Sequence, residues 1–567
     1  MIALFPSLRG YRPAWARGDV IAGFTVWAVL VPESLAYASI AGVDPVVGLY
    51  AAPVALLLYA AFGSSRHLVV GPMSATAALS AAVVGGMAAK GTNFAAMTTA
   101  LAVVTGVIAI IAGLARLGFL AGFISEPVLK GFIIGLALTI IAGQLPKLVG
   151  VPKGDGNFFE KIWDFVTQLD HINWRAAAIG LLSLAVVLAL KRFVPLLPAS
   201  LIVVALGVLA VVALDLERKG VAVVGHITSG LPPFGLPDVP AKDYLSLAGG
   251  AVGVALVGFA EGLGAAKTYA TKAGYDIDAN RELVGLGAAN LGSGLASGMV
   301  VNGSLSKTAV NGGAGARSQI SGLSAALLTV VTLLLLTGLF EKLPEATLGA
   351  VVIAAVIELV DIPALARLYR MWTRRLGQIY GPAARADFLA ALAALAGVLI
   401  FDTLPGLFIG ITVSLLLLLY RASRPHIAVL GRLPSGDWVD TRRRPNARTD
   451  PAVTVVRVES GLFFANADHV RQALRDFAAR DGVRAIVLDA ETVPFVDVTA
   501  AEMLADLRRD LARRDVRLYL AHNVGQVRDV LRQDSGQASG QDTERPHPTV
   551  EAAVQAAHTD LARPVTG

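Results

Sequence analysis

Two glutamates lie where an acid is costly. Glu33, in Pro32-Glu33-Ser34-Leu35-Ala36-Tyr37-Ala38, and Glu261, in Ala260-Glu261-Gly262-Leu263-Gly264, each sit inside an apolar run long enough to cross a bilayer. A carboxylate at that depth costs roughly 3 kcal/mol on insertion scales, so such residues usually face a cavity and carry function. Packing roles are the alternative: a polar kink at Pro32 for Glu33, and snorkelling for Glu261, which lies near Lys267.

A third polar feature stands among the apolar segments. The stretch Met299 to Gly313, Met-Val-Val-Asn-Gly-Ser-Leu-Ser-Lys-Thr-Ala-Val-Asn-Gly-Gly, is too polar and too short to span. Asn302, Gly303 and Ser304 are N-cap types, and the run behind them lasts about two turns before Gly312 and Gly313 interrupt it. A helix that begins at membrane depth exposes unpaired N–H groups and a positive dipole end, tolerable only against a cavity or an anion. An earlier copy, Val69-Val70-Gly71-Pro72-Met73-Ser74-Ala75-Thr76-Ala77, aligns with it when Ser74 is matched to Ser306 and Thr76 to Thr308. Pro72 suits the first helical position there. Interrupted hydrophobic segments at corresponding places in two halves are the sequence signature of a membrane transporter's binding site.

The elements that must hold these residues follow from composition. The chain has 567 residues, 55% hydrophobic and 16% charged, which excludes a soluble single domain and a disordered chain and predicts a polytopic α-helical membrane protein. Zero cysteines exclude disulfides and thiolate chemistry. The net charge of +6 comes from arginines clustered at span ends, so nucleic acid is not expected as a partner. No cleaved signal peptide is expected. Apolar segments fall at about 18–40, 44–62, 94–115, 125–146, 173–191, 195–214, 244–268, 280–299, 318–340, 345–360, 385–402 and 405–421; with short spans at 70–89 and 303–314 they make fourteen. Basic residues such as Arg17, Arg66, Arg116, Lys191, Lys267 and Arg317 then share one side, the cytoplasmic one, as do both termini.

Seven spans per half make the halves inverted, with repeat 1 at about 17–215 and repeat 2 at about 243–421. Spans 1 and 8 become mates, so Glu33 and Glu261 are expected to approach the two half-helix starts from opposite repeats. The transmembrane domain covers 1–421; residues 422–451 read as a Pro- and Arg-rich cytoplasmic linker. Residues 452–562 read as a soluble α/β domain, with 563–567 as a tail. Its strands are expected at Val453–Val458, Gly461–Phe464, Arg484–Asp489 and Arg517–Leu520, and helices at about 467–481, 499–514, 524–531 and 548–560. The stretch Asp534 to Arg545 reads as mobile.

Together these stretches resemble the sulfate permease (SulP) anion transporters, related to the solute-carrier 26 proteins. The resemblance rests on Val31-Pro32-Glu33-Ser34-Leu35-Ala36-Tyr37-Ala38, Gly71-Pro72-Met73-Ser74-Ala75-Thr76 and Phe259-Ala260-Glu261-Gly262-Leu263-Gly264. Asn280-Arg281-Glu282-Leu283 and Gly303-Ser304-Leu305-Ser306-Lys307-Thr308-Ala309 add to it. The C-terminal unit resembles a STAS domain through Asp489 and Asp497-Val498-Thr499-Ala500, with Val498 where relatives carry a phosphorylated serine.

The resemblance implies a uracil-permease-like fold with a core domain (spans 1–4 and 8–11) and a gate domain (spans 5–7 and 12–14). It further implies a homodimer in a bacterial cytoplasmic membrane and elevator-type alternating access. Met73, Ser74, Ala75, Ser304, Leu305 and Ser306 are then expected to line the anion site, with Tyr37 in its wall and Glu261 as the proton carrier. Two residues depart from the family pattern: Glu33 stands where glutamine is frequent and Lys307 where arginine is frequent. Lysine cannot make a two-pronged guanidinium contact. An ionised Glu33 would repel an anion, so it is expected to be protonated in the loaded state or to share a proton with Glu261. The function expected is proton symport of a sulfate-type oxyanion or dicarboxylate, without cofactor, bound metal or enzymatic chemistry. Sodium-coupled bicarbonate transport and an uncoupled anion channel or exchanger are the alternatives.

Overall fold

The computed structural model describes residues 4–87, 93–123, 125–154, 156–194, 197–373, 382–401, 403–522 and 547–562; the expected helix at 524–531, the stretch Asp534 to Arg545 and the tail 563–567 lie outside them. The chain divides into two compact units, Met1–Ser414 and Leu415–Gly567.

The first unit is helical. Its opening half runs through α1 (Ala16–Ala41), α2 (Pro45–Phe62), the short strand β1 (Val69–Gly71), α3 (Ser74–Gly85), α4 (Phe94–Leu114), α5 (Glu126–Val149), α6 (Phe158–Thr167), α7 (Trp174–Phe193) and α8 (Ala199–Leu214). The second half runs through α9 (Ala241–Ser246), α10 (Ala248–Ala273), α11 (Ala279–Leu295), the strand β2 (Asn302–Ser304), α12 (Leu305–Gly313), α13 (Ile320–Val331), α14 (Glu345–Val356), α15 (Ile362–Thr373), α16 (Pro382–Phe401) and the opening part of α17 (Thr403–Ser423), within which the boundary between the units falls. Among the described residues, eight helical runs are long and apolar enough to cross a membrane, α1, α2, α4, α5, α7 and α10 among them. The segment expected at 318–340 is not one uniform helix, because a π-helical turn at Thr332–Leu336 and a 3-10 turn at Thr337–Phe340 follow α13. The amphipathic helices α6 and α15 were not expected; their polar faces dilute the apolar signal that marks a span.

Two groups of helices emerge from the packing. One joins α1–α4 with α10–α13, and the other joins α5, α7, α8, α14 and α16. Small residues make the tightest seam of the first group. A Cβ on Gly106 of α4 would stand 2.4 Å from Leu291 N, and one on Gly287 of α11 would stand 2.7 Å from Ile110 N, so the two backbones approach as only glycine allows.

The second unit is a five-stranded sheet in the order β4-β3-β5-β6-β7, formed by β3 (Ile427–Arg432), β4 (Trp438–Asp440), β5 (Val453–Val458), β6 (Ala485–Asp489) and β7 (Arg517–Ala521). β5, β6 and β7 are parallel, and β3 runs antiparallel to both β4 and β5. Alternate residues divide between two cores. Val456, Val458, Ile486 and Leu488 meet α18 (Ala467–Ala478) and α19 (Val498–Ala512), while Val453, Val455, Ala485 and Val487 meet α20 (Val550–Ala562).

Two expectations for this unit are corrected. β3 and β4 fall inside the stretch read as a linker, where arginines and prolines mask a short alternation of Ala428 and Leu430 toward the core. The strand expected at Gly461–Phe464 is a single bridge, Leu462 to Val496, between two buried loop residues.

Candidate functional site

Both glycine-marked regions break the helical path, and the two breaks meet. β1 and β2 pair antiparallel, Val69 with Ser304, Val70 with Gly303 and Gly71 with Asn302, and each strand feeds a short helix. Every residue of both strands is buried. The local sequence explains the geometry. Proline restricts the preceding residue to extended backbone, so Gly71 stays in β1 and α3 begins only at Ser74. Pro72 therefore precedes the helix instead of occupying its first position, and Met73 is the N-cap, which offers no side-chain hydrogen bond. At α12 Ser304 alone is the cap; its Oγ accepts the Lys307 N–H at 3.3 Å and lies 3.1 Å from Ser306 Oγ. Asn302 and Gly303, also read as caps, belong to the strand.

A polar clamp ties the two breaks into one body. Thr308 Oγ1 accepts the Val69 N–H at 3.1 Å and donates to Ser304 O at 2.5 Å. Asn311 Nδ2 donates to His67 O, and Gln319 Nε2 donates to Ser65 O and Leu68 O. Upstream of β1, the fully buried Glu282 of α11 accepts the Tyr59 hydroxyl, the Ser64 and Ser65 N–H groups and the Ser64 hydroxyl, all at 2.7–3.0 Å. Downstream of α12, Asp19 of α1 accepts the N–H groups of Arg317 and Ser318 and the Ser318 hydroxyl. Sequence reasoning gave neither acid a role, although each is a carboxylate near the start of a mainly apolar helix.

The charged residues of the site are arranged differently from the expectation. Lys307 Nζ donates to Glu33 Oε2 at 2.7 Å and to Pro72 O at 3.1 Å, and it lies 5.0 Å from the centre of the Tyr37 ring. Both charged side chains are buried, 1% and 6% exposed. Glu33 thus finds its partner in Lys307, whereas Glu261 finds Asn302, whose Nδ2 donates to Glu261 Oε2 at 3.4 Å. The two acids do not approach different half-helices. Both converge on the segment 302–307, because α1 packs on α3 and α12 together and α10 lies along β2. Ser74 and Ala75 are buried at the start of α3, while Leu305 and Ser306 face outward at the start of α12, Leu305 being 54% exposed.

In the second unit, Asp489, Glu491 and His522 come close enough to one another to hold a metal ion, which the sequence did not reveal. Arg457 already bridges Asp489 and Glu491 at 2.7 Å to each, so a side-chain cation answers their charge. Val498 stands 68% exposed at the first turn of α19.

The comparisons agree with this architecture. The sulfate permease family model matches residues 17–377, and the STAS domain model matches 444–550. A probable sulfate transporter of Mycobacterium tuberculosis is 37% identical over 530 residues, covering 93% of this chain and 92% of that protein. High affinity sulfate transporter 1 of Stylosanthes hamata is 30% identical, covering 92% and 81%. Among solved structures, the murine Solute Carrier 26 family member A9 anion transporter in its inward-facing state superimposes with a TM-score of 0.86 at 24% identity, covering 98% of this chain and 94% of that one. The transmembrane domain of a cyanobacterial bicarbonate transporter, BicA, superimposes with a TM-score of 0.59 at 21% identity, covering 71% and 98%. These two likenesses are of fold.

Proposed function

The chain belongs to the sulfate permease family of anion transporters, multi-pass membrane proteins and not enzymes, and from that premise we propose that it is a secondary active symporter of protons and a small oxyanion of the sulfate type. The observation that carries this reading is the pair of short helices, α3 and α12, started back to back from a buried two-stranded ladder with Lys307 between them. Helix N-termini supply N–H donors and a positive dipole end, a ready site for an anion. The anion rests against the first turns of α3 and α12, at Met73, Ser74, Ala75, Ser304, Leu305 and Ser306, with Tyr37 in the wall.

Protons enter through two acids with different tasks. An incoming anion competes with Glu33 for Lys307, and a proton on Glu33 releases the lysine to the substrate. Glu261 carries the second negative charge that a proton neutralises when the site loads. Loading is then favoured on the acid side of the membrane.

The α1–α4 and α10–α13 group is the moving core and the α5, α7, α8, α14 and α16 group the gate, which supports elevator-type alternating access across fourteen spans in two inverted repeats. The protein works as a homodimer in a bacterial cytoplasmic membrane, with both termini and the STAS domain on the cytoplasmic side.

The test is uptake of labelled sulfate, fumarate and bicarbonate into proteoliposomes under imposed proton or sodium gradients. Proton-driven sulfate or fumarate accumulation supports the proposal. Sodium-driven bicarbonate accumulation, or anion currents without proton flux, would replace it with one of the rival modes.

A further inference from the structure

Asn302 occupies an unusual position: it is the last residue common to the proton-carrying acid and the anion-binding helix start. Its side chain touches Glu261 of α10, and its strand ends two residues later at Ser304, the cap of α12. The residue before it is pinned from α11. Asn290 Oδ1 accepts the Val301 N–H at 3.0 Å and its Nδ2 donates to Val301 O at 2.9 Å, so the backbone leading into Asn302 is held like a strand beside a partner. On the α10 side room is made by glycine. A Cβ on Gly262 would stand 3.1 Å from Asn302 Oδ1, and one on Gly258 would stand 3.3 Å from Asn302 Cγ.

Behind the amide, α4, α10 and α11 enclose a cavity of about 10 Å³ that Asn302 lines together with Thr105, Gly258 and Asn290. That is about the space one water molecule needs. Thr105 is 2% exposed and its Oγ1 has no hydrogen-bond partner. A buried hydroxyl left unpaired is costly, and this one lines the same cavity as the Asn302 amide.

Resting on the reading of Glu261 as proton carrier, we infer that Asn302 is a positioning residue whose amide turns over with the protonation state of that acid, with a water molecule on Thr105 taking up the end that is turned away. The chemistry requires a group of this kind. An ionised carboxylate only accepts hydrogen bonds, while a protonated one also donates. Asn302 offers Nδ2–H to the ionised form and Oδ1 to the protonated form. In each orientation the opposite end faces the cavity, where a water bound to the Thr105 hydroxyl can donate or accept. Since the same residue opens the strand that ends at the α12 cap, each orientation is also communicated to the anion site.

No other charge competes for this role. Among the described residues, α3, α4, β2 and the 3-10 turn Leu117–Phe123, all packed on α10, carry no titratable side chain. Lys307 of α12 is held by Glu33, Glu282 of α11 by Tyr59, Ser64 and Ser65, and Arg281 of α11 donates to Phe62 O. Lys242, Asp243 and Tyr244 of α9 stand before the first turn of α10, and Lys267, Tyr269 and Lys272 lie beyond Glu261 on α10 itself.

The experiment is the pH profile of proton-driven sulfate uptake by the full chain in proteoliposomes, with counterflow exchange measured in parallel. Asn302→Leu removes the donor to the ionised acid, so the midpoint of the profile is expected to move alkaline by about one pH unit, a roughly tenfold change. Asn302→Thr, which can both donate and accept, is expected to restore most of it. Thr105→Val, a change of one hydroxyl for one methyl, is expected to move the midpoint the same way by less while leaving counterflow unchanged. On a Glu261→Gln background, where proton-driven uptake is lost, the pH profile of counterflow exchange is read instead, and none of the three substitutions should shift it. An unmoved midpoint in both Asn302→Leu and Thr105→Val, or shifts that persist without Glu261, overturns the inference. If Glu261→Gln itself leaves proton-driven accumulation intact, it is instead the proposed function that fails.

Discussion

Lys307 Nζ lies 2.7 Å from Glu33 Oε2 with both side chains buried, so the cation nearest the paired helix starts is already answered by an acid of the same chain. Neither residue is then a free charge waiting for substrate. On the proposed mechanism the pair is a unit that an anion must open, with a proton on Glu33 as the agent that opens it.

Removing one partner therefore differs from neutralising it. Lys307→Ala leaves a buried carboxylate without its cation, and about 3–5 kcal/mol of stability is expected to be lost together with uptake. Glu33→Gln keeps a hydrogen-bonding group of the same shape; stability is expected to hold, sulfate KM to fall several-fold near neutral pH, and the pH dependence of uptake to flatten. Thermal unfolding in detergent and initial uptake rates measure both. Tighter apparent binding by Lys307→Ala than by Glu33→Gln would contradict the arrangement.

Glu261→Gln is expected to abolish accumulation driven by a proton gradient and to spare exchange of internal for external sulfate. The comparison needs only one preparation of proteoliposomes, loaded or unloaded. Uphill uptake equal to that of the unaltered chain would rule out Glu261 as the proton carrier.

Glu282 anchors the loop that leads into β1. Glu282→Ala strands the Tyr59 hydroxyl, the Ser64 hydroxyl and two backbone N–H groups in the interior, and a loss on the order of 3 kcal/mol or more is expected. Glu282→Gln retains acceptor capacity and is expected to cost less than half as much. Monodispersity on size exclusion after a heating series reads the difference, and equal behaviour of the two variants would refute the clamp.

The seam between α4 and α11 tolerates no side chain. Gly106→Ala places a methyl 2.4 Å from Leu291 N, so backbone must move and about 1–3 kcal/mol of destabilisation is expected. A substitution at Gly313, where a Cβ meets no atom within 4 Å, provides the contrast; Gly313→Ala is expected to change stability by less than about 1 kcal/mol. Matching losses at the two positions would show that the close approach carries no weight.

How much of this was readable in advance varies with the range of the interaction involved. Apolar runs, glycine interruptions and cap residues act within a few positions of the chain, so the broken helices at α3 and α12, the acids at Glu33 and Glu261 and the α/β unit after residue 452 were legible from residue types alone. Small errors came from competing local rules: Pro72 was given a helical position, but its restriction of Gly71 prolongs the strand, and Asn302 was read as a cap although it serves as a strand residue. The strands β3 and β4 escaped notice because charged and proline residues outweigh a short alternation in composition.

Which residue meets which was a different matter. Glu33 and Lys307 are 274 positions apart, and nothing in either neighbourhood specifies the other; their meeting follows from α1 packing on α12. The same holds for Asn302 against Glu261 and for Glu282 against Ser64 and Ser65. Sequence determined that two polar, broken helices stand among the apolar spans, because glycine, proline and cap residues act within a few positions of the chain. Only the tertiary structure decided that its lysine is already paired and that its two acids converge on one segment, because side-chain partners across helices are chosen by packing.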